Sequence, residues 1–218
     1  MKKRVVIAFI LLILLTTINS QQKISLVSFN LKKIEIENNF LLKEKDIKKL
    51  LIPIYNKNLI LLKNNEIQKV MMENNFIESF IIKKKYPNTL KIKIFEKKPI
   101  AILFYKKKKY FLSEKISLID FKNLKGFEDL PYVFGSKDEF KVLYKNLKKI
   151  NFPLSMIKDY TYYESQRWDL KTINKKIIKL PTKNYTQSLQ NYLDIKDKER
   201  FKKFNIFDYR IEDQLILK

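Results

Sequence analysis

The sequence predicts an α+β protein with an apolar N-terminal segment, a small domain of strand–helix–helix–strand–strand order, and a mostly antiparallel β domain with flanking helices. Three patterns predict this class: apolar residues alternate with lysines over residues 90–94, two short amphipathic helices precede them, and many short strands follow residue 99. A chain of 218 residues is long enough to form two domains with separate cores.

The N-terminal segment has three cations in its first four residues, followed by an uncharged, mainly apolar run over residues 5–18. This arrangement predicts insertion into a membrane with the N-terminus in the cytoplasm. As a helix the run covers about 21 Å, less than the ~30 Å of a hydrocarbon core, so a cleaved signal peptide is an alternative. Residues 19–22 add length, and Ile18-Asn19-Ser20 is a poor cleavage site. We therefore expect an anchor over residues 5–22 after a cytoplasmic tail at 1–4, and export of the remainder.

The small domain is expected to begin with a strand at residues 34–37, where isoleucine and glutamate alternate. Two amphipathic helices follow, each with apolar residues at helical spacing on one side. Asn65 is expected to cap the second helix, with Gln68 three residues later. The apolar stripes are Ile47, Leu50, Leu51 and Ile54 in the first helix, and Ile67, Val70 and Met71 in the second.

A hairpin is expected to complete the small domain. In its alternating run, Leu90, Ile92 and Ile94 lie on the side that faces the core. Pro87 has a fixed φ and no N–H, and Asn88 offers a side-chain hydrogen bond, so both are expected in the turn. The predicted result is one small sheet with two helices on one face.

Short apolar or alternating runs predict that the larger domain consists mostly of strands. Two helices interrupt them, one at residues 136–150, which Ser136 is expected to cap, and one around residues 185–193. The pattern indicates an antiparallel sheet with flanking helices. The predicted strands lie at residues 100–105, 110–112, 116–119, 130–134, 160–163, 168–173, 176–180, 205–210 and 214–217.

The composition argues against most catalytic chemistry. The chain has no Cys and no His, so it lacks disulfides, thiol nucleophiles, the usual general base and the commonest zinc ligand. Its two glycines, Gly126 and Gly135, form no phosphate-binding loop, and Asp and Glu are scattered. We expect no enzyme activity, no catalytic, cofactor-binding or metal site, no cofactor and no small-molecule substrate.

A net charge of +23 would ordinarily indicate a nucleic acid or an anionic membrane surface as the partner. However, only four of the 46 basic residues are arginines, and the lysines lie on the polar side of most predicted elements. We therefore expect a solvated surface and no nucleic-acid partner. The lysine run at residues 106–109 predicts a hairpin turn, and contact with anionic headgroups is its alternative.

Several short motifs occur in the order found in one known family. The first two are a Pro-Asn-Thr-Leu corner at residues 87–90 and a Glu-Lys-Lys-Pro-Ile-Ala exit at 96–101. With the later motifs, the chain resembles the FtsQ (DivIB) family of bacterial cell-division proteins over nearly its whole length. The resemblance implies a POTRA domain over residues 23–98 and an FtsQ-type β domain over 99–218. The later motifs are Leu130-Pro131-Tyr132-Val133-Phe134-Gly135, Arg167-Trp168-Asp169-Leu170, Ile178-Lys179-Leu180-Pro181 and Phe207-Asp208-Tyr209-Arg210.

The same resemblance implies a function. It implies a non-enzymatic, single-pass scaffold of the divisome in the bacterial inner membrane, at the division septum, with its bulk in the periplasm. The last strand of the β domain would accept a segment of FtsB, itself paired with FtsL, by strand addition, and the POTRA domain would bind other divisome proteins. The implied partner-binding residues are Arg167, Arg210, Ile211, Asp213, Gln214, Leu215, Ile216, Leu217 and Lys218.

The residues also point to this strand without the family. Residues 214–218 form a short, mainly apolar strand at the end of the sequence, and an uncovered strand edge invites another strand. The alternative is an ordinary terminal strand whose Leu215 and Leu217 point inward.

Arginine is rare in this chain, so each arginine is expected to make a contact that lysine cannot make. Arg167 lies beside the only Trp, and Arg210 follows Asp208 by two residues. The alternative is that Arg167 stacks on a neighbouring ring and that Arg210 forms a structural ion pair with Asp208 or Glu212.

Two other functions are open at this point. One is a POTRA-containing outer-membrane assembly or secretion factor that binds unfolded chains. The other is a secreted enzyme, which would need a nucleophile–base pair or paired carboxylates that the sequence does not suggest.

Overall fold

The computed structural model describes residues 2–17, 29–211 and 214–218. The chain divides into two compact units, Met1–Phe95 and Glu96–Lys218. We call the part of the first unit that follows its N-terminal helix the small unit, and the second unit the large unit.

The N-terminal helix, α1 (Lys2–Thr17), has 16 residues. Each large apolar side chain of residues 5–15 is at least 50% exposed. None of the described helices has both the length and the apolar character needed to cross a membrane. Residues 18–22 of the expected anchor lie outside the described residues.

The small unit has the predicted order of strands and helices. β3 is the middle strand of its three-stranded sheet and runs parallel to β1, with Ile34 opposite Leu90 and Ile36 opposite Ile92. This confirms the mixed α+β class for this part of the chain. The elements are β1 (Lys33–Glu37), α2 (Glu44–Leu50), α3 (Asn64–Met71), β2 (Ile77–Lys85) and β3 (Thr89–Glu96).

The core of the small unit contains the apolar side predicted for β3. Leu90, Ile92 and Ile94 are fully buried, together with Ile47 of α2 and Ile67 of α3. Complete burial of such a side chain contributes roughly 1.5–3 kcal/mol. The stability of the small unit therefore depends strongly on this one strand.

Two local features of the small unit concern the cap of α3 and the turn between β2 and β3. The sequence predicts Asn65 as the cap of α3, but the helix begins two residues earlier, at Asn64, with Lys63 at the N-cap. The Lys63 N–H donates to Glu66 Oε1 at 3.3 Å, so a glutamate that reaches back replaces the predicted asparagine cap. Asn88 lies in the β2–β3 turn as predicted, and its Oδ1 accepts a hydrogen bond from Thr89 Oγ1 at 3.2 Å.

The described residues of the large unit form three α-helices, a short 3-10 helix (Leu154–Met156) and a sheet of nine strands. The order of the strands across the sheet is β12-β11-β10-β9-β8-β7-β4-β5-β6. The helices are α4 (Lys137–Lys149), α5 (Tyr185–Ile195) and α6 (Glu199–Lys202). The strands are β4 (Pro99–Tyr105), β5 (Lys108–Ser113), β6 (Leu118–Asp120), β7 (Tyr132–Phe134), β8 (Ile157–Tyr163), β9 (Arg167–Thr172), β10 (Ile177–Lys179), β11 (Ile206–Asp208) and β12 (Ile216–Leu217).

This sheet is mixed. Five neighbouring pairs are antiparallel as expected, namely β4–β5, β5–β6, β8–β9, β9–β10 and β11–β12. The pairs β4–β7, β7–β8 and β10–β11 are parallel, which the sequence does not predict. Parallel neighbours need a long crossover connection, and α4 connects β7 to β8 while α5 and α6 connect β10 to β11.

The helices of the large unit pack on one face of the sheet. Ser136 caps α4 as predicted. Phe140 of α4 meets Tyr160 of β8 edge to face, with ring centroids 5.2 Å apart, and Tyr192 of α5 meets Phe207 of β11 at 4.9 Å. Successive side chains of a strand point to opposite faces, so the charged residues that alternate with this core lie on the other face.

Candidate partner-binding edge

β12 lies at one end of the sheet, and among the described residues it pairs with β11 alone. The Lys218 N–H donates to Ile206 O at 3.1 Å, and the Ile206 N–H donates to Lys218 O at 2.9 Å. In an antiparallel pair, such doubly bonded positions alternate with unbonded ones. Phe207 and Leu217 form the adjacent, unbonded pair, so the Leu217 N–H and C=O point away from β11. The outer edge of β12 therefore presents backbone groups that another strand could bind.

The side chains of the final segment hold it against the large unit. Leu215 and Leu217 are partly buried and pack against the core, which is the inward orientation that the sequence allows as an alternative. Ile216 is 38% exposed, and Gln214 and Lys218 are also exposed. Inward leucines and an open backbone edge therefore occur together in the same strand.

A cleft of about 380 Å³ shares residues with this segment. Its described lining includes two cations, Lys183 and Arg210, and no carboxylate. Asp208 pairs with Arg210 and offsets its charge, so an acidic group in this cleft would be attracted chiefly by Lys183. No cluster of acidic side chains within the described residues is arranged to hold a metal ion. The lining residues are Pro181, Thr182, Lys183, Asn184, Gln187, Ser188, Asn191, Tyr209, Arg210, Ile211, Gln214 and Leu215.

The sequence predicts only the side of the cleft formed by Arg210, Ile211, Gln214 and Leu215. The other side comes from α5 and the loop before it, through residues such as Lys183, Asn184 and Gln187. Asn184, the N-cap of α5, has a φ of 56° in the left-handed region, where asparagine is common. An asparagine between a predicted strand and a predicted helix indicates a tight turn at Asn184. No sequence pattern indicates that this turn lies beside the last strand.

Arg210 forms a two-pronged ion pair with Asp208. Its Nε donates to Oδ1 at 2.8 Å and its Nη2 donates to Oδ2 at 2.6 Å. These hydrogen bonds hold the pKa of the Asp208 carboxyl below its usual value. The pair is the structural alternative given for Arg210, although 43% of its side chain is still exposed. Glu212, the other possible ion-pair partner of Arg210, lies outside the described residues, and so does Asp213.

Arg167 also has partners within the chain. Its Nη1 lies 2.6 Å from Asp169 Oδ1, and its guanidinium lies 4.3 Å from the centroid of the Tyr163 ring. Three strand spacings of ~4.8 Å separate β9 from β12, so Arg167 lies about 14 Å from the open edge. Arg167 therefore lies apart from the edge strand, although Arg210 also acts electrostatically on its partner Asp169, and the role of Arg167 in binding a partner stays a prediction.

A row of alternating charges crosses the helix-free face of the sheet and ends at β12. Asp169 lies opposite Lys179, Lys179 lies opposite Asp208, and Asp208 lies opposite Ile216. Opposite charges that face each other on antiparallel strands, as Asp169 and Lys179 do, stabilise a sheet by roughly 0.2–1 kcal/mol. The row changes from charged to apolar at its last member, so a strand added to β12 would place its next side chain beside Ile216.

The two buried aspartates of this row should respond to acid in opposite directions. The lowered pKa of Asp208 means that its charge stabilises the fold, and this contribution is lost as the pH falls below 3.8 through its folded-state pKa. Burial raises the pKa of Asp169, although Arg167 opposes the shift, so acidification towards 3.8 relieves an unfavourable buried charge. Asp208→Asn should reduce the loss of stability below pH 3.8. Asp169→Asn should remove the gain in stability that the wild type shows when the pH is lowered towards 3.8. Denaturant unfolding across this pH range measures both, and parallel pH profiles for wild type and both variants would contradict the assignment.

Comparison with known proteins agrees with this architecture. Residues 29–97 match the family model "POTRA domain, FtsQ-type", and residues 104–210 match "Cell division protein FtsQ/DivIB, C-terminal". The chain is 28% identical over 203 residues to "Cell division protein FtsQ" of Rickettsia felis, which covers 85% of this chain and 76% of the relative. The protein of the same name from Agrobacterium fabrum is 23% identical and covers 91% of this chain and 64% of its own length.

A solved structure is also similar, the major extracytoplasmic domain of the trans isomer of DivIB from Geobacillus stearothermophilus. It shares 15% identity and covers 47% of this chain and 92% of its own, with a TM-score of 0.35, which is too low to add to the argument. A POTRA-type unit followed by an FtsQ/DivIB C-terminal unit defines a bacterial cell-division protein. The chain belongs to the FtsQ/DivIB family. This membership favours cell division over the outer-membrane and enzymatic functions that the sequence left open.

Proposed function

We propose that this chain is a non-enzymatic scaffold of the divisome that captures FtsB, paired with FtsL, by strand addition to β12. The observation that carries this proposal is the outward direction of the Leu217 N–H and C=O at the end of the sheet. Backbone hydrogen bonds to an added strand supply affinity, and the side chains on alternate positions supply specificity. The family match supports a role in cell division, and the edge supports the mode of binding.

The edge also defines the chemistry of the strand that would bind. On the solvent face, an apolar side chain fits beside the exposed Ile216. On the core face, another apolar side chain fits beside Leu215 and Leu217, which already pack against the core. An acidic side chain near one end of the bound segment would suit Lys183 and Arg210 in the cleft. The expected ligand is therefore a mainly apolar extended segment with an acidic residue at its border.

We further propose that residues 5–22 anchor the chain in the bacterial inner membrane, with residues 1–4 in the cytoplasm. Residues 23–98 would form the POTRA domain and residues 99–218 the β domain, both in the periplasm at the septum. The exposed apolar surface of α1 supports this proposal because such a surface requires lipid or protein to cover it. The POTRA domain is proposed to bind other divisome proteins.

A photo-crosslinking side chain at Ile216 tests the proposed capture directly. Ile216 is 38% exposed on β12, and Leu118, on β6 at the opposite end of the sheet, is 37% exposed and serves as the matched control. Irradiation of cells that contain the full chain should join FtsB to position 216 and not to position 118. Absence of the FtsB adduct at position 216, or equal yields at both positions, would overturn the proposal.

Arg167→Lys tests whether the Arg167 fork contacts the partner. Lysine keeps the charge and can still pair with Asp169, but it loses the planar fork. If an acidic group of FtsB uses that fork, the complex should weaken by about 1–3 kcal/mol. Arg200→Lys is the control because Arg200 also stacks on an aromatic ring, that of Phe201, and is not among the residues proposed to bind the partner. Equal affinities for the wild type and Arg167→Lys, measured by calorimetry, would show that Arg167 is purely structural.

A further inference from the structure

The hairpin between β4 and β5 has an unusual tip, which we define as Tyr105, Lys106, Lys107 and Lys108. Lys106 and Lys107 form the two-residue turn with φ values of 47° and 63°. A two-residue hairpin turn with both φ values positive is a type I′ turn, in which asparagine and glycine are preferred. Asparagine occupies four of the other left-handed positions, Asn38, Asn56, Asn151 and Asn184, and lysine occupies one more, Lys175. Two consecutive lysines are therefore not the residues that the stability of this turn alone would favour.

The tip concentrates positive charge. Lys109 extends the run to four consecutive lysines, all exposed, and neither β4 nor β5 contains an acidic residue. The ammonium groups at both ends of the run lie over aromatic rings. Lys106 Nζ is 5.4 Å from the Tyr105 ring centroid, and Lys109 Nζ is 5.1 Å from that of Phe104.

Exposed aromatic rings lie next to these lysines. Lys109 Nζ is also 5.5 Å from the Phe121 ring centroid, and the Phe104 ring stacks on Phe134 with centroids 5.0 Å apart. Phe121 is 38% exposed, Phe134 is 40% exposed, and Tyr105 in the tip is 43% exposed. On the helix-free face beside the tip, Phe104, Phe121 and Phe134 therefore form an aromatic surface bordered by Lys109, and Tyr105 adds an exposed ring at the tip itself.

We propose that this hairpin tip and its neighbouring rings dock on the anionic headgroup surface of a membrane. Lysines that sit among exposed Phe and Tyr side chains are typical of segments that bind the membrane interface. A nucleic-acid surface would favour arginine forks, and the tip has none. The exposed apolar surface of α1 is the second feature that requires lipid. The inference rests on the proposed anchoring, because tethering one part of a chain to a membrane raises the effective concentration of a second contact.

The absence of native cysteine allows a specific experiment with the full chain. An environment-sensitive fluorophore is attached to Lys107→Cys, and, as a control, to Lys175→Cys, an exposed turn lysine that also has a positive φ of 63°. The labelled chains are bound to vesicles of phosphatidylcholine alone or of phosphatidylcholine with phosphatidylglycerol. We expect a blue shift at position 107 only with the anionic vesicles, reversed by high salt, and no shift at position 175.

The contribution of charge is tested by adding Lys106→Gln and Lys108→Gln to the chain labelled at position 107. Each lysine contributes about 1 kcal/mol near an anionic surface, so the ratio of docked to undocked tips should fall roughly 30-fold. The matched control is Lys141→Gln with Lys145→Gln, which removes the same charge from the exposed side of α4 and should leave the ratio unchanged.

The inference is overturned by no shift at position 107 on anionic vesicles, by equal shifts at both labelled positions, or by equal losses in the two charge variants. Flotation of the vesicles shows separately whether the chain is bound. A chain that floats without a shift at position 107 refutes the tip contact and leaves the anchor intact, whereas a chain that does not float refutes both. Binding of FtsB tests the edge at β12. The tip variant should therefore still capture FtsB whether or not the tip contacts the membrane. A shift at position 107 on addition of an acidic peptide or nucleic acid, with none on anionic vesicles, would also overturn the membrane assignment.

Discussion

Ile92→Asp should unfold the small unit. Ile92 is 0% exposed at the centre of β3, opposite Ile36 of β1. A carboxylate at this position would lose its hydration without gaining a partner, and the apolar burial of isoleucine would be lost as well. We expect a loss of at least about 4 kcal/mol, which is comparable to the total stability of a small domain. The variant should therefore be digested by protease between β1 and β3.

Two control variants distinguish the effect of a charge on the buried face of β3 from the effect of any substitution in that strand. Lys93→Asp introduces the same residue one position later, where the side chain points to solvent, and should cost less than about 1 kcal/mol. Ile92→Val keeps an apolar side chain and should cost about 0.5–1.5 kcal/mol. The large unit, which has its own core, should keep its unfolding transition in all three variants. A protease-resistant small unit in Ile92→Asp would contradict the assignment of the core face.

Leu217→Pro should abolish the capture of FtsB. Proline removes the Leu217 N–H, which points away from β11, and its ring occupies the space that an added strand needs. The hydrogen bonds between Lys218 and Ile206 do not use that N–H, so the β11–β12 pair should survive, as is usual for proline on the open side of an edge strand. We expect an affinity loss of at least about 100-fold, or roughly 3 kcal/mol, in a binding assay with FtsB.

The matched control is Leu217→Ala, which keeps the N–H and removes most of the side chain that packs against the core. It should lower the stability of the large unit but reduce affinity by less than about tenfold. This pair of variants is more specific than removing residues 214–218, because that deletion would uncover β11 as a new edge. If Leu217→Ala and Leu217→Pro weaken capture equally, the side chain and not the backbone edge recognises the partner.

The sequence predicts where the strands and helices of this fold lie better than it predicts which strands pair with each other. Alternation from Leu90 to Ile94 identifies β3 and its buried face because a strand repeats every two residues. The same rule finds most strands of the large unit. It does not find the parallel pairs β4–β7, β7–β8 and β10–β11, because the choice of neighbour depends on crossovers that no local period records.

The candidate site is predictable to a smaller extent. The scarcity of arginine correctly marks Arg167 and Arg210 as residues with specific contacts, yet both contacts are with aspartates two residues away, Asp169 and Asp208. Sequence cannot distinguish such a pair from a partner contact, since both use the same fork geometry. The cleft is assembled from the start of α5 and the segment after β11, which are distant in sequence and have no common pattern.

Hydrogen exchange at the Leu217 amide is the most direct test of strand addition at β12. In the free chain this N–H points away from β11 and should exchange quickly, whereas the Lys218 N–H is already bonded to Ile206 O and should exchange slowly. On binding FtsB, the Leu217 amide should become protected, while the Lys218 amide changes little. If FtsB is bound and the Leu217 amide still exchanges at its free rate, the partner does not pair with this edge and the proposed mode of capture is wrong.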